Sequence, residues 1–232
     1  MIEHRPFAQL GHANHGWLNA RHHFSFSSYQ EPSRMGWGDL LVWNDDEIAA
    51  GTGFAPHGHE DMEIITYVRT GAITYQDSLG NTGRTEAGDV QVMSAGSGVR
   101  HSENNHETET TTLFQIWIEP GTRGDAPSWG AKPFPKSDRS GRFTALASGF
   151  ASDTDALPIR AEARVLGATL KAGQSTSYDL AAGRHAYLVL AAGSAKLNGL
   201  TLQTRDGAAV RDETNLTITA LTDAELVLVD TL

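Results

Sequence analysis

The residues from Gly51 to Asn105 place the tightest constraint on how this chain can fold. His57 and His59 stand near the start of that stretch, and His101 and Glu103 near its end. Each pair is separated by one residue. Side chains alternate faces along a β-strand, so each pair sends both polar groups to the same side. The intervening sequence supports strands: Glu63 to Val68 is rich in β-branched and aromatic residues, and Gly80-Asn81 and Gly88-Asp89 suit tight turns. Two such strands laid side by side converge three imidazoles and a carboxylate on one point. That donor set suits Fe, Mn, Ni, Cu or Zn, whereas calcium and magnesium prefer all-oxygen shells. A structural zinc would more usually take thiolates, and the chain has no cysteine. Four ligands in an octahedral shell leave two positions for substrate or O2.

Asp61 and Glu63 share the parity of His57 and His59 and are rival carboxylates. Glu103 is preferred because its i, i+2 relation to His101 needs no bulge. The competing reading, histidines scattered over surface turns, fits poorly with two pairs set among strands. His12, His15, His22 and His23 form no second convergent pair and read as partly buried or exposed; His106 reads as exposed. Phe24, Phe26, Phe54, Tyr75 and Trp117 read first as core residues and second as pocket walls.

The rest of the chain is strand-like too. Leu40 to Trp43 reads as a short strand stopped by Asn44-Asp45-Asp46. Residues 121–142 hold prolines, glycines and charges without periodicity, the composition of a linker. From residue 143, short apolar runs such as Val165 to Leu170, His185 to Leu190 and Glu225 to Val229 alternate with Gly, Asn and Asp turns. No long amphipathic helix stands out, and a short one is expected near Asp153 to Leu157. A loose rhythm of glycine turns in both halves suggests duplication. We expect a metal-binding unit over 1–130, a linker over 131–142 and a second unit over 143–232.

With 232 residues the chain can bury one large or two small cores. Its net charge of −10 and lack of a Lys/Arg run argue against nucleic acid. No apolar run approaches the ~20 residues of a membrane span. The absence of cysteine removes disulfides, Fe–S clusters and thiol nucleophiles. A cytoplasmic monomer is expected.

Gly51-x5-His57-x-His59-x3-Glu63-x7-Gly71 resembles the first cupin motif. Gly96-x-Gly98-x2-His101-x3-Asn105 resembles the second, with Gly96 at the usual proline position. The runs HFSF (from His23), GTGFAPHGHEDMEIITYV (from Gly51), DSLGN (from Asp77), GDVQVMSAGSGVRHSEN (from Gly88) and FQIWIEP (from Phe114) narrow this to a resemblance to the pirin family. It is close to the bacterial pirin-like proteins described as quercetin 2,3-dioxygenases. The resemblance implies an all-β bicupin: two antiparallel jelly-roll β-barrels packed face to face, with few short helices. It also implies a metal in the N-terminal barrel only, which agrees with the lack of an HxH after residue 142. Its metal ligands fall on His57, His59, His101 and Glu103. Iron is the metal first implied, with nickel, copper, manganese, cobalt or zinc accepted by related cupins. The implied activity is that of an oxidoreductase opening a flavonol such as quercetin with O2 and releasing carbon monoxide, with Glu103 as general base. Two alternatives follow from the same resemblance: a redox-sensing regulator acting through a protein partner, and a cupin acting on another small molecule. The chain departs from the family in having Tyr75 where histidine is common and Leu41 where arginine is common.

Overall fold

The alternating runs and glycine turns become twenty-two strands and three short 3-10 helices in a computed structural model covering residues 1–232. The first twelve strands are β1 (Ile2–Arg5), β2 (Gly11–Asn14), β3 (Leu18–His22), β4 (Leu40–Ile48), β5 (Gly53–His59), β6 (Glu63–Thr70), β7 (Ala72–Asp77), β8 (Thr82–Glu86), β9 (Val90–Ser94), β10 (Val99–Asn104), β11 (Thr111–Ile118) and β12 (Ser128–Lys132). The remaining ten are β13 (Thr144–Ser148), β14 (Leu157–Pro158), β15 (Arg164–Leu170), β16 (Ser175–Asp179), β17 (His185–Ala192), β18 (Ala195–Leu197), β19 (Leu200–Leu202), β20 (Gly207–Arg211), β21 (Asn215–Ala220) and β22 (Ala224–Thr231). Residues Asp153 to Leu157 form turns and the start of β14, not a helix. No helix is long and apolar enough to cross a membrane.

A seven-stranded sheet ordered β12-β9-β6-β11-β4-β3-β2 packs with a four-stranded sheet ordered β5-β10-β7-β8. The second half repeats the arrangement as β1-β20-β17-β22-β15-β13-β14 with β16-β21-β18-β19. The two orders correspond strand for strand, which is the duplication that the glycine rhythm suggested. The fold is the all-β bicupin expected from the sequence. Its edges cross over: β1, at the start of the chain, pairs with β20 of the second half, and β12 returns to pair with β9 of the first. Strand β12 therefore lies within the stretch read as linker. It is held by partners distant in sequence. Trp129 stacks on Tyr75 at 4.9 Å between ring centroids, and a Cβ at Gly83 would sit 2.2 Å from the Trp129 ring.

Strand β4 runs straight through Asn44-Asp45-Asp46, contrary to the expected stop. All three are buried, and strand alternation assigns them opposite duties. Asp45 faces the second half, where Arg205 donates to it from Nε at 2.6 Å and Nη2 at 2.9 Å and Arg69 also pairs with it. Asn44 and Asp46 face into the first half. The ion pairs compensate the buried charge of Asp45, so a sequence that reads as a turn persists as a strand.

The apolar interior has distinct compartments. Trp43, Tyr67 and Phe114 meet Tyr187, Val189 and Val227 in a cluster that joins the two large sheets. Inside the second half, Leu188, Leu190, Leu216, Ile218 and Leu228 belong to one continuous apolar cluster. Burying each such side chain stabilises by roughly 1.5–3 kcal/mol. Inside the first half the core is split: Leu18, Ile48, Val68 and Leu113 lie in one cluster, and Ile64, Tyr75, Met93 and Val99 in another. Between them lies a polar band.

Candidate metal centre and its pocket

The antiparallel register of β10 on β5 sets His101 directly opposite His57 and Val99 opposite His59. Period-two alternation then puts all three imidazoles on one face. One ring nitrogen from each of His57, His59 and His101 falls within a cluster spanning no more than 4.8 Å. The corresponding strands of the second half, β16 and β21, carry no histidine. The histidine cluster is confined to the first half.

The three imidazoles fit a transition metal. His57 Nδ1 lies 2.8 Å from the Ala55 carbonyl, which puts the proton on Nδ1 and leaves the Nε2 lone pair facing the cluster. His57 Nε2 and His101 Nε2 are 3.1 Å apart. That separation would let both rings reach one cation. Burial, followed by the proximity of His57, lowers the His59 pKa to about 4. Burial, followed by His57 and His59, lowers that of His101 to about 3. Both rings are thus neutral at physiological pH, the state that binds a cation. His59 also packs edge-on against Trp117, with centroids 5.0 Å apart.

Glu103 shares the His101 strand, but lies outside the cluster of histidine nitrogens. The β10–β5 register shifts between His101 and Glu103, so Glu103 pairs with Phe54. Its Oε1 accepts from Gln91 Nε2 at 2.5 Å and Thr66 Oγ1 at 3.1 Å, and its Oε2 from Gln115 Nε2 at 2.7 Å. Burial raises its pKa to about 7 against the opposing effect of these three donors. The rival carboxylates are engaged elsewhere. Glu63 accepts from Ser94 Oγ at 2.6 Å, and Asp61 from the Gly124 amide at 2.7 Å.

The donors around Glu103 belong to one rung across the large sheet. Cross-strand pairing runs His22 to Asn44, Asn44 to Gln115, Gln115 to Thr66, and Thr66 to Gln91. This is the band that divides the first core. Beside it opens a cavity of about 310 Å³ lined by Trp17, Phe26, Phe54, His22, Asp46 and Gln115, among others. Phe54 is 6.3 Å from His57 between ring centroids, and Phe26 is 5.5 Å from Trp117, which touches His59. The cavity therefore adjoins the histidines. An open groove of about 370 Å³ near Lys136, Thr169 and Asp223 lies on the second half and shares no residue with the centre.

Of the aromatic candidates, Phe26 and Phe54 line the cavity, Phe24 belongs to the core between the halves, and Tyr75 packs 5.4 Å from His101. His15 and His22 also line the cavity, a role their spacing did not disclose. His23 is buried between the halves and bonds Tyr187 at 2.8 Å. The rung itself had a readable signal: single polar residues inside apolar strands, as with Gln91 in Val90–Ser94 and Gln115 in Thr111–Ile118. Leu41 is half-buried beside Gly36 and lines none of the cavities described above.

Comparison with known proteins agrees with this geometry. The family profile described as Pirin matches residues 3–118, and that described as the quercetinase C-terminal cupin domain matches residues 146–231. A pirin-like protein of Caulobacter vibrioides is 68% identical over 230 residues, covering 99% of both chains. A quercetin 2,3-dioxygenase of Escherichia coli is 40% identical over 231 residues, covering 99% of this chain and 98% of that one. The crystal structure of the bacterial pirin YhhW from Escherichia coli, in complex with nickel(II), superposes with a TM-score of 0.94 at 39% identity, covering 100% of this chain and 99% of that one. By sequence along its whole length, and by a histidine cluster confined to the first of two cupin halves, this chain belongs to the pirin family.

Proposed function

We propose that the protein is a metal-dependent dioxygenase that opens a flavonol such as quercetin with O2, giving a depside and carbon monoxide. The observation that carries this reading is the convergence of three imidazoles beside an aromatic-walled cavity, with a buried carboxyl on the same strand as one of them. His57, His59 and His101 would hold one divalent first-row cation, with Glu103 as the fourth ligand. Iron is the first expectation, and nickel, copper, manganese, cobalt or zinc are alternatives. Such a cation supplies Lewis acidity toward the substrate's hydroxyl and carbonyl oxygens, with coordination positions for O2.

The protein's own groups do the rest. Glu103 would take the substrate's 3-hydroxyl proton as general base. Gln91, Thr66 and Gln115 fix its orientation. Trp17, Phe26 and Phe54 offer flat apolar surface to a planar ring system and exclude water from the reacting ring. In this reading, residues 1–130 carry the chemistry, 131–142 connect, and 143–232 form a ligand-free unit that buttresses the first. The protein acts as a cytoplasmic monomer on its small aromatic substrate and O2.

The test is to strip the protein, load it separately with iron, nickel, copper and manganese, and follow oxygen uptake and carbon monoxide with quercetin. Equimolar oxygen consumption and carbon monoxide release are expected with at least one metal. Absence of both with all four would refute the activity.

A further inference from the structure

Among the polar groups lining the cavity beside the histidines, one is a buried carboxyl that the chemistry above does not use. Asp46 lines the cavity and is only 2% exposed. Its Oδ1 is buried and has no hydrogen-bond partner. The contrast with its neighbour is sharp: Asp45, on the opposite face of β4, is tied to Arg69 and Arg205. A buried carboxyl oxygen without a partner destabilises the fold, so its retention needs a reason. Packing does not supply one, because Asp46 sits one rung beyond Asn44 and Gln115, opposite Ala20 and Leu113, where an apolar residue would extend the core. Nor do the polar residues of the cavity wall supply a partner: His22 bonds Asn44, Gln115 donates to Glu103, and Asp46 Oδ1 is left without a bond. The Asp46 side chain borders the cavity and makes no hydrogen bond to any of its walls.

We infer that Asp46 is a specificity-determining residue that receives a hydroxyl group on the ring of the substrate remote from the histidines. This rests on the flavonol reading of the same site. Two rungs of the sheet organise the contact. The rung of Asn44, Gln115 and Thr66 leads to Glu103 and the reacting ring. The next rung, carrying Asp46, lies two residues or about 7 Å further along the strands. A planar substrate with its reacting ring at the histidines extends its second ring between Trp17, Phe26 and Phe54 toward Asp46. A hydroxyl there both donates and accepts, so it satisfies the carboxyl in either protonation state. A site built to bond a hydroxyl discriminates against a ligand lacking it, because the buried group is then left unpaired.

The experiment compares three flavonols that differ only in that ring: quercetin with two hydroxyls, kaempferol with one and galangin with none. Dissociation constants are measured by quenching of tryptophan fluorescence, for nickel-loaded and for metal-stripped protein, in wild type, Asp46→Asn and Asp46→Ala. In wild type, quercetin is expected to bind about tenfold more tightly than galangin, the worth of one good buried hydrogen bond. In Asp46→Ala that ratio falls to near one, and in Asp46→Asn, which keeps the shape and an acceptor, it stays in between. An unchanged ratio in Asp46→Ala, or an equal loss for all three ligands, overturns the assignment while leaving the flavonol reading standing. Failure of all three to bind wild type overturns the flavonol reading and the assignment with it. Thermal unfolding of each variant shows whether it is folded; removal of an unpaired buried carboxyl is not expected to lower the transition.

Discussion

Replacing Glu103 by glutamine in metal-stripped protein separates the electrostatic cost of this carboxyl from its shape. Burial raises the pKa of Glu103 from 4.5 to about 7 in the folded protein. Below pH 4.5 the group is protonated in both folded and unfolded states, and burial exacts no charge penalty. Between pH 4.5 and 7 the folded state keeps a proton that the unfolded chain has released, so stability falls as pH rises. Above pH 7 both states are ionised and the full penalty is present, about 3 kcal/mol for this difference in pKa. Glutamine does not titrate. Its amide disturbs the bonds with Gln91, Thr66 and Gln115 by an amount that is the same at every pH. The stability of Glu103→Gln relative to wild type should therefore rise by about 2–3 kcal/mol between pH 5 and pH 8, whatever its offset. Urea unfolding at the two pH values, analysed with a common m-value, measures that rise. A difference that stays constant with pH, or that moves against the variant at high pH, would refute the reasoning.

Other expectations follow from particular contacts. His57→Ala should lower nickel content after dialysis from about one equivalent to under a tenth by elemental analysis, with the circular dichroism of the folded sheet retained. Because the histidines bind a cation only when neutral, metal content should fall as the pH is lowered through the acid range; content that stays constant from pH 7 to pH 3 would contradict the ligand assignment. Gly53→Ala would bring a Cβ to 2.3 Å from the Glu103 carbonyl, so denaturation should show a loss of about 1–3 kcal/mol. Arg205→Ala removes two charge-assisted bonds to the buried Asp45, and should cost about 2–3 kcal/mol in the same assay.

The two HxH and HxE pairs were legible because strand alternation needs no tertiary information. His57, His59 and His101 converge as their spacing requires. The setting of Glu103 was only half legible. Its strand could be read, but the grip of Thr66, Gln91 and Gln115 depends on register across several strands, and a register shift follows His101. Asn44-Asp45-Asp46 looked like a strand stop because such residues usually solvate a turn. What holds them is Arg69 and Arg205, 24 and 160 residues away from Asp45. Strand β12 was hidden in the same way, since its anchors are Tyr75 and Gly83 and not its own composition. His15 and His22 gained their place only when β2 and β3 folded onto the sheet edge beside β4. Local periodicity sufficed for the strands and the three histidines. The cavity and its unpaired Asp46 belong to long-range pairing.

The most direct test of the central claim is a crystal structure of nickel-loaded protein soaked with quercetin in the absence of O2, with anomalous scattering recorded at the nickel edge. One anomalous peak bonded to His57, His59 and His101 is expected, with the flavonol's reacting ring beside it and its second ring between Trp17, Phe26 and Phe54. A peak away from those histidines, or a flavonol bound only outside that cavity, would contradict the central claim.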